Sequence, residues 1–215
     1  MIKAVLFDLD GVLVSTDEYH YRSWKKLSAE EGFDFFDHEF NHKFRGVARM
    51  ECVEIITKAS GKNYTPEQKQ ELADRKNRYF AESLASVTTE VLLPGALSVL
   101  HELRNRGIKT AVASNSRNAV TIIKQVKIDH LLDAIIDGHQ IENSKPDPEV
   151  FLLAAKKVGI PPAQCLVVED AVAGIESARR AGMKALGIGT KDRLPNVDIV
   201  IPNLSAISVD GLLNL

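Results

Sequence analysis

From about residue 91 onward the chain alternates short β-rich runs with amphipathic helical stretches, and no other feature constrains its fold as strongly. Strands that alternate with helices pair in parallel, because each return to the sheet needs a crossover. We read strands near residues 3–8, 108–113, 134–136, 165–169, 184–188 and 198–201. Between them lie helices with recognisable ends. "PGALSVLHELRNRG" opens on Pro-Gly, places Leu97, Leu100 and Leu103 at helical spacing and stops at Gly107. "KPDPEVFLLAAKKVG" repeats that design, with Pro148 near its first turn and Gly159 as its stop.

Residues 15 to about 88 read differently. They lack a strand pattern and consist of charged helical stretches such as "EYHYRSWKKLSAEEG" and "PEQKQELADRKNRYFAESL". The expected fold is therefore α/β: a Rossmann-like, doubly wound parallel-sheet core from 1–15 and 89–215, with an inserted all-helical cap domain over 16–88. Two crossings, near 14–17 and 87–93, would join the domains and could serve as a hinge. At 215 residues and 45% hydrophobic content the chain can fill one core and a modest insertion.

Charge narrows the partners. The 27 basic and 29 acidic residues give a formal net charge of -2 without a basic block, so neither nucleic acid nor an anionic membrane is expected as a partner. A small molecule is. No stretch has the length of a membrane span, and the first apolar run meets Asp8 too soon for a signal peptide, which makes a cytoplasmic location and a monomer the expectation. Cys165, which opens the apolar run "CLVVED", reads as a small buried hydrophobe, and neither it nor the distant Cys52 is a redox candidate.

The run "VLFDLDGVL" raises the functional question, since Asp8 and Asp10 interrupt a segment otherwise built for burial. In an open parallel sheet ionised side chains belong at the carboxyl ends of strands, where ligands bind. Other runs end the same way: "TAVASNS" in Ser114, Asn115 and Ser116, "CLVVED" in Glu169 and Asp170, with Ser144-Lys145 ahead of the helix near Pro148. Each piece alone is a common turn or surface loop. Together they bring one set of polar groups to one sheet edge. Asp8, Glu169 and Asp170 form the hard oxygen set that Mg²⁺ prefers, and with Lys145 they would let a phosphate dianion approach. Ser114 and backbone N–H groups could hold its oxygens. Asp8, as a carboxylate, needs no base to act as nucleophile, which leaves Asp10 for proton transfer.

The motifs "DLDGVL", "ASNS", "KPDP" and "VVED" resemble the signature of the haloacid dehalogenase superfamily of phosphotransferases, over the whole chain. "EYHYRSWKKL", "FRGVAR", "ADRKN" and "SNSRN" bring it nearer to the sugar-phosphate mutase branch than to the general phosphatases. That resemblance implies that Asp8 forms an aspartyl phosphate, that Asp10 is general acid and base, and that Asp8, the Asp10 backbone oxygen, Glu169 and Asp170 hold Mg²⁺. It also implies that Ser114, Asn115 and Lys145 hold the transferring phosphoryl group. Arg49, Ser116, Arg117 and Asn118 would grip the second phosphate, and His20, Trp24, Gly46, Val47 and Lys76 would surround the sugar, with Thr16 at the hinge. The implied reaction interconverts β-D-glucose 1-phosphate and β-D-glucose 6-phosphate through β-D-glucose 1,6-bisphosphate, which doubles as activator.

Asn115, Arg117 and Phe44 depart from the expected pattern: Arg117 keeps the charge and should bind a phosphate as well or better, whereas Asn115 and Phe44 bear on substrate preference more than on the chemistry. Other readings stand beside this one. A sugar-phosphate phosphatase needs the same core and only one phosphate grip, and a phosphosugar-binding protein would not need both Asp8 and Asp10. Trp24 could pack the insertion, His20 could be exposed, and Arg49 and Lys76 could be solvated charges. "HEFNH", His38 to His42, matches a zinc-peptidase motif, but that chemistry requires both imidazoles on one buried helix face.

Overall fold

The computed structural model describes residues 1–44, 47–194, 196–197 and 199–215. The chain divides into two compact units, Met1–Ser15 with Val87–Leu215, and Thr16–Ser86. Val87 and Thr88 group with the first of these.

The first unit begins with strand β1 (Ala4–Phe7), all four residues buried. The helical unit follows, with α1 (Asp17–Glu31), α2 (His38–Asn41), α3 (Arg49–Ser60) and α4 (Pro66–Ser83). The chain then continues through α5 (Ala96–Asn105), β2 (Lys109–Ala113), α6 (Ala119–Gln125) and β3 (Ala134–Ile136). It ends with α7 (Glu149–Val158), β4 (Cys165–Glu169), α8 (Val172–Arg180), β5 (Lys184–Ile188), β6 (Val200–Ile201) and α9 (Val209–Leu213). The strands form one parallel sheet in the order β3-β2-β1-β4-β5-β6. This is a doubly wound α/β fold, and the order reverses beside β1, the place where such sheets open a crevice.

Continuous apolar runs suit these strands because both faces are covered. Ala4, Leu6, Ala111, Ala113, Cys165 and Val167 share one buried cluster with Val150, Phe151 and Ala154 of α7 and Ala178 of α8. The alternate residues Val5, Phe7, Val112, Leu166 and Val168 are equally buried. Helix α5 corrects one expectation: Leu97 is exposed, and the inward stripe is Ala96, Val99, Leu100 and Leu103. Cys165 is buried, and that burial pushes its thiol up to about 11.

In the helical unit, α1 stops at Gly32, whose φ of 68° lets its N–H turn back to Ala29 and Ser28. Helix α4 starts from a reciprocal cap: Thr65 accepts from the Gln68 amide while Gln68 accepts from the Thr65 amide. The core is aromatic, with Trp24, Phe33, Phe36 and Phe44 packed around Leu27, Val53, Ile56 and Leu72. Cys52 lies in it, its thiol pushed up to about 12 chiefly by burial. His38 and His42 fall on different short elements and are both exposed, and the His38 ring stacks on Tyr21 at 3.6 Å. That is not the single buried face a zinc peptidase requires. Among the described residues no helix is long and apolar enough to cross a membrane.

Candidate active site

Register brings the acidic residues to one level. Phe7 pairs with Val112 on one side and Val168 on the other, so Asp8, just past β1, comes level with Ala113 and Glu169, the last residues of β2 and β4. The Asp8 amide still donates to Val168 at 2.9 Å. Beyond it the chain turns, with the Gly11 amide donating to Val14 at 2.7 Å and the Val14 amide to Leu9 at 3.0 Å. Gly11 has φ of 82°, and a Cβ there would stand 2.2 Å from an Asp170 carboxylate oxygen, so only glycine allows both the turn and the approach. Asp10 is half-buried in this turn and bridges to Val14.

Lys145 is the buried counter-charge. Its Nζ bonds to Asp8, to Glu169 Oε2 at 2.8 Å and to the Ala113 carbonyl at 3.0 Å, and its side chain is 6% exposed. Its backbone N–H donates to Asn115 Oδ1 at 3.3 Å, tying the segment before α7 to the loop after β2. Burial works against the ammonium, but Asp8 and Glu169 outweigh it and hold its pKa above the usual lysine range.

The carboxylates are left with excess negative charge. Burial raises the Glu169 carboxyl above its usual range against the pull of Lys145, and repulsion from Asp8 adds to it. Asp170 is pushed up to about 7 by burial and then by Asp8, with Arg193 opposing. Asp8, Glu169 and Asp170 each offer a carboxylate oxygen, and these atoms lie within 4.8 Å of one another. An all-oxygen set with unbalanced negative charge fits Mg²⁺.

The loop after β2 is held by its own serine hydroxyls. The Ser114 hydroxyl accepts from the Ser116 amide at 3.1 Å, and the Ser116 hydroxyl from the Asn118 amide at 3.2 Å. Ser114 is buried, Asn115, Ser116 and Asn118 are half-buried, and Arg117 is exposed. Asp8, Asp10, Ser114 to Asn118, Lys145, Glu169 and Asp170 thus all belong to the parallel-sheet unit.

Three supporting residues escaped the sequence reading. Gly174 sits in the first turn of α8, where a Cβ would fall 1.9 Å from Glu169 Oε2. Ser177, fully buried, donates from its hydroxyl to the Asp147 carbonyl at 2.7 Å and fastens the "KPDP" segment to α8. A glycine early in a helix, four and five residues past Asp170 and Glu169, was the available signal for the first. Arg193, in the loop after β5, was masked by its distance in sequence.

A second cluster lies within the helical unit. Lys76, 3% exposed, places its Nζ 2.6 Å from His20 Nδ1, 5.3 Å from the Trp24 ring and 4.7 Å from the Phe80 ring. His20 stacks on Phe80 at 3.9 Å and 18°. An ammonium has only donors, so Nδ1 accepts and the imidazole proton sits on Nε2. Burial first, then the charges of Lys76 and Arg49, hold the His20 pKa well below its usual value. Trp24 meets Phe44 edge-on at 4.9 Å within the aromatic core. Thr16 is buried at the start of α1 without a side-chain capping bond, Val47 is half-buried, and Arg49 opens α3. Gly46 lies outside the described residues.

An aspartate ending the central strand of a doubly wound sheet, flanked by a buried lysine and two further carboxylates, is the arrangement of a phosphoryl-transfer site. The chain belongs to the haloacid dehalogenase-like hydrolase family, which matches residues 2–182. Within it, the chain is 39% identical over 213 residues to β-phosphoglucomutase of Bacillus subtilis (strain 168), covering 98% of this chain and 94% of that protein. The crystal structure of β-phosphoglucomutase from Clostridium difficile superimposes with a TM-score of 0.90 at 34% identity, over 100% of this chain and 96% of that one. A phosphorylated carbohydrates phosphatase of Thermotoga maritima is 27% identical over 86% of this chain and 84% of its own length.

Proposed function

We propose that this protein is a β-phosphoglucomutase that interconverts β-D-glucose 1-phosphate and β-D-glucose 6-phosphate through β-D-glucose 1,6-bisphosphate. The observation that carries the reading is the likeness to the Bacillus subtilis enzyme along 98% of this chain, the helical unit included.

Asp8 attacks phosphorus, the bond from phosphorus to the sugar oxygen breaks, and Asp10 protonates the departing oxygen. In the return step Asp10 takes the proton from the accepting hydroxyl while the phosphoryl group leaves Asp8. Lys145, Ser114 and Asn115 hold the phosphoryl oxygens. Mg²⁺, held by Asp8, the Asp10 backbone oxygen, Glu169 and Asp170, would supply the positive charge that lets two anions meet. Arg49, Ser116, Arg117 and Asn118 hold the phosphate not being transferred, with Thr16, Trp24, Gly46, Val47 and Lys76 assigned to the sugar. His20, neutral with its proton on Nε2, serves as a hydrogen-bond donor to a sugar oxygen.

A coupled assay with β-D-glucose 1-phosphate, Mg²⁺ and a trace of the bisphosphate tests this. Glucose 6-phosphate should form, with a lag that added bisphosphate abolishes. Stoichiometric inorganic phosphate with no glucose 6-phosphate would replace the mutase with a sugar-phosphate phosphatase on the same core.

A further inference from the structure

The Lys145 ammonium donates to Asp8, Glu169 and the Ala113 carbonyl. An aromatic ring lies against it as well: Nζ lies 4.7 Å from the centroid of Phe151. Phe151 is the third residue of α7 and follows Lys145 by six positions, so the segment that delivers the lysine also delivers the ring behind it. It is fully buried, in a cluster with Ala113, Ile136, Val150 and Ala154. An aliphatic side chain could fill that space. Only a ring presents a negative face to an ammonium that water does not reach, where the attraction is strongest.

We propose that Phe151 is a positioning residue that acts through Lys145, its ring face fixing the ammonium in the orientation that meets the transferring phosphoryl group. A backing apolar chain would let the ammonium shift within its pocket, and small misplacements of a charged donor are costly in a transfer reaction that depends on alignment. The inference deepens the phosphoryl-transfer reading above and depends on it for one of its two tests.

The first test replaces Phe151 with mono-, di- and trifluorinated phenylalanine, which drains the ring face while keeping its shape. The value of kcat/KM for β-D-glucose 1-phosphate should fall progressively, by about 10- to 30-fold across the series for an attraction of the desolvated size. The urea midpoint should fall in step, because the same attraction acts in the folded ground state; a ring that merely filled space would leave activity unchanged and let the midpoint hold or rise, since a fluorinated ring is no less apolar. The second test needs no turnover: Phe151→Leu should lower the urea midpoint more in the wild-type chain than in the Lys145→Met background. Both results are required. A flat fluorination series in an active enzyme, or additive midpoints, overturns the role of Phe151, whereas loss of all turnover in the wild type alongside non-additive midpoints overturns the function instead.

Discussion

Each unit of this protein buries a lysine, and they hold it in opposite ways. In the sheet unit Lys145 is gripped by Asp8 and Glu169, and Asp170 is pushed up to about 7 by burial first and then by the charge of Asp8. In the helical unit Lys76 donates to a neutral imidazole against two aromatic rings, and His20 is held below its usual value by burial first and then by the charges of Lys76 and Arg49. The first arrangement suits a cation and the proposed phosphate, and the second suits oxygen acceptors. A phenylalanine ring at 4.7 Å backs the ammonium in both, so what differs is the polar partner.

The sharpest way to break this contrast is to remove the residue at the centre of each proposed task. Asp8→Asn should take phosphoenzyme formation from acetyl phosphate and mutase turnover below detection with the fold retained, and Asp10→Asn should slow transfer by ~10²–10⁴-fold. Arg49→Ala should instead separate the two reactions. Loss of a charge-assisted contact should cost mutase activity about 10- to 100-fold while hydrolysis of acetyl phosphate stays near the wild-type rate. Equal losses in both reactions would remove the helical unit's separate role.

Gly174→Ala probes the acidic side alone. Alanine is the better helix former by about 1 kcal/mol, so α8 by itself should gain. The new Cβ, 1.9 Å from Glu169 Oε2, should push the carboxylate aside and weaken Mg²⁺ binding about 10- to 100-fold in a calorimetric titration. Unchanged affinity would mean that Glu169 is not a ligand.

The mildest test is pH. The folded pKa of His20 lies below its ordinary 6.5, so the unfolded chain binds its proton first; the stability His20 contributes is complete above that value and is lost as pH falls toward the folded pKa. The slope should approach ~1.4 kcal/mol per pH unit for one proton. For Asp170 the sign is reversed: its pKa is raised from 3.8 to about 7, so its contribution is complete below the lower value and lost as pH rises through about 7. Hydrogen exchange without Mg²⁺ should show protection in α1 and α4 falling on acidification while that in β1 and β4 rises. His20→Gln should flatten only the first response, and Mg²⁺ only the second.

Much of the parallel sheet was legible because its strands are buried on both faces and therefore read as unbroken apolar runs. The expected strand at 134–136 is β3 itself, and those at 165–169 and 184–188 are β4 and β5. The run at 198–201 is β6 over Val200–Ile201, with Asp198 outside the described residues. Leu97 misled because helical spacing alone does not say which of two adjacent stripes faces the sheet. The residues gathered around Asp8 were legible for a different reason: a charge at the end of an apolar run has few places to go except the sheet's carboxyl edge.

What the sequence determined, then, was the alternation of elements, the polar residues at strand ends and the family resemblance they carry, all of them properties of local stretches. The tertiary structure decided how those stretches meet. The Nζ of Lys145 reaches Asp8 across 137 positions, Lys76 reaches His20 across 56, and Gly174 matters only because Glu169 folds against its helix. No periodicity encodes such pairings, because register and helix packing set them, and they exist only once burial has removed the water that would otherwise have solvated each charge by itself.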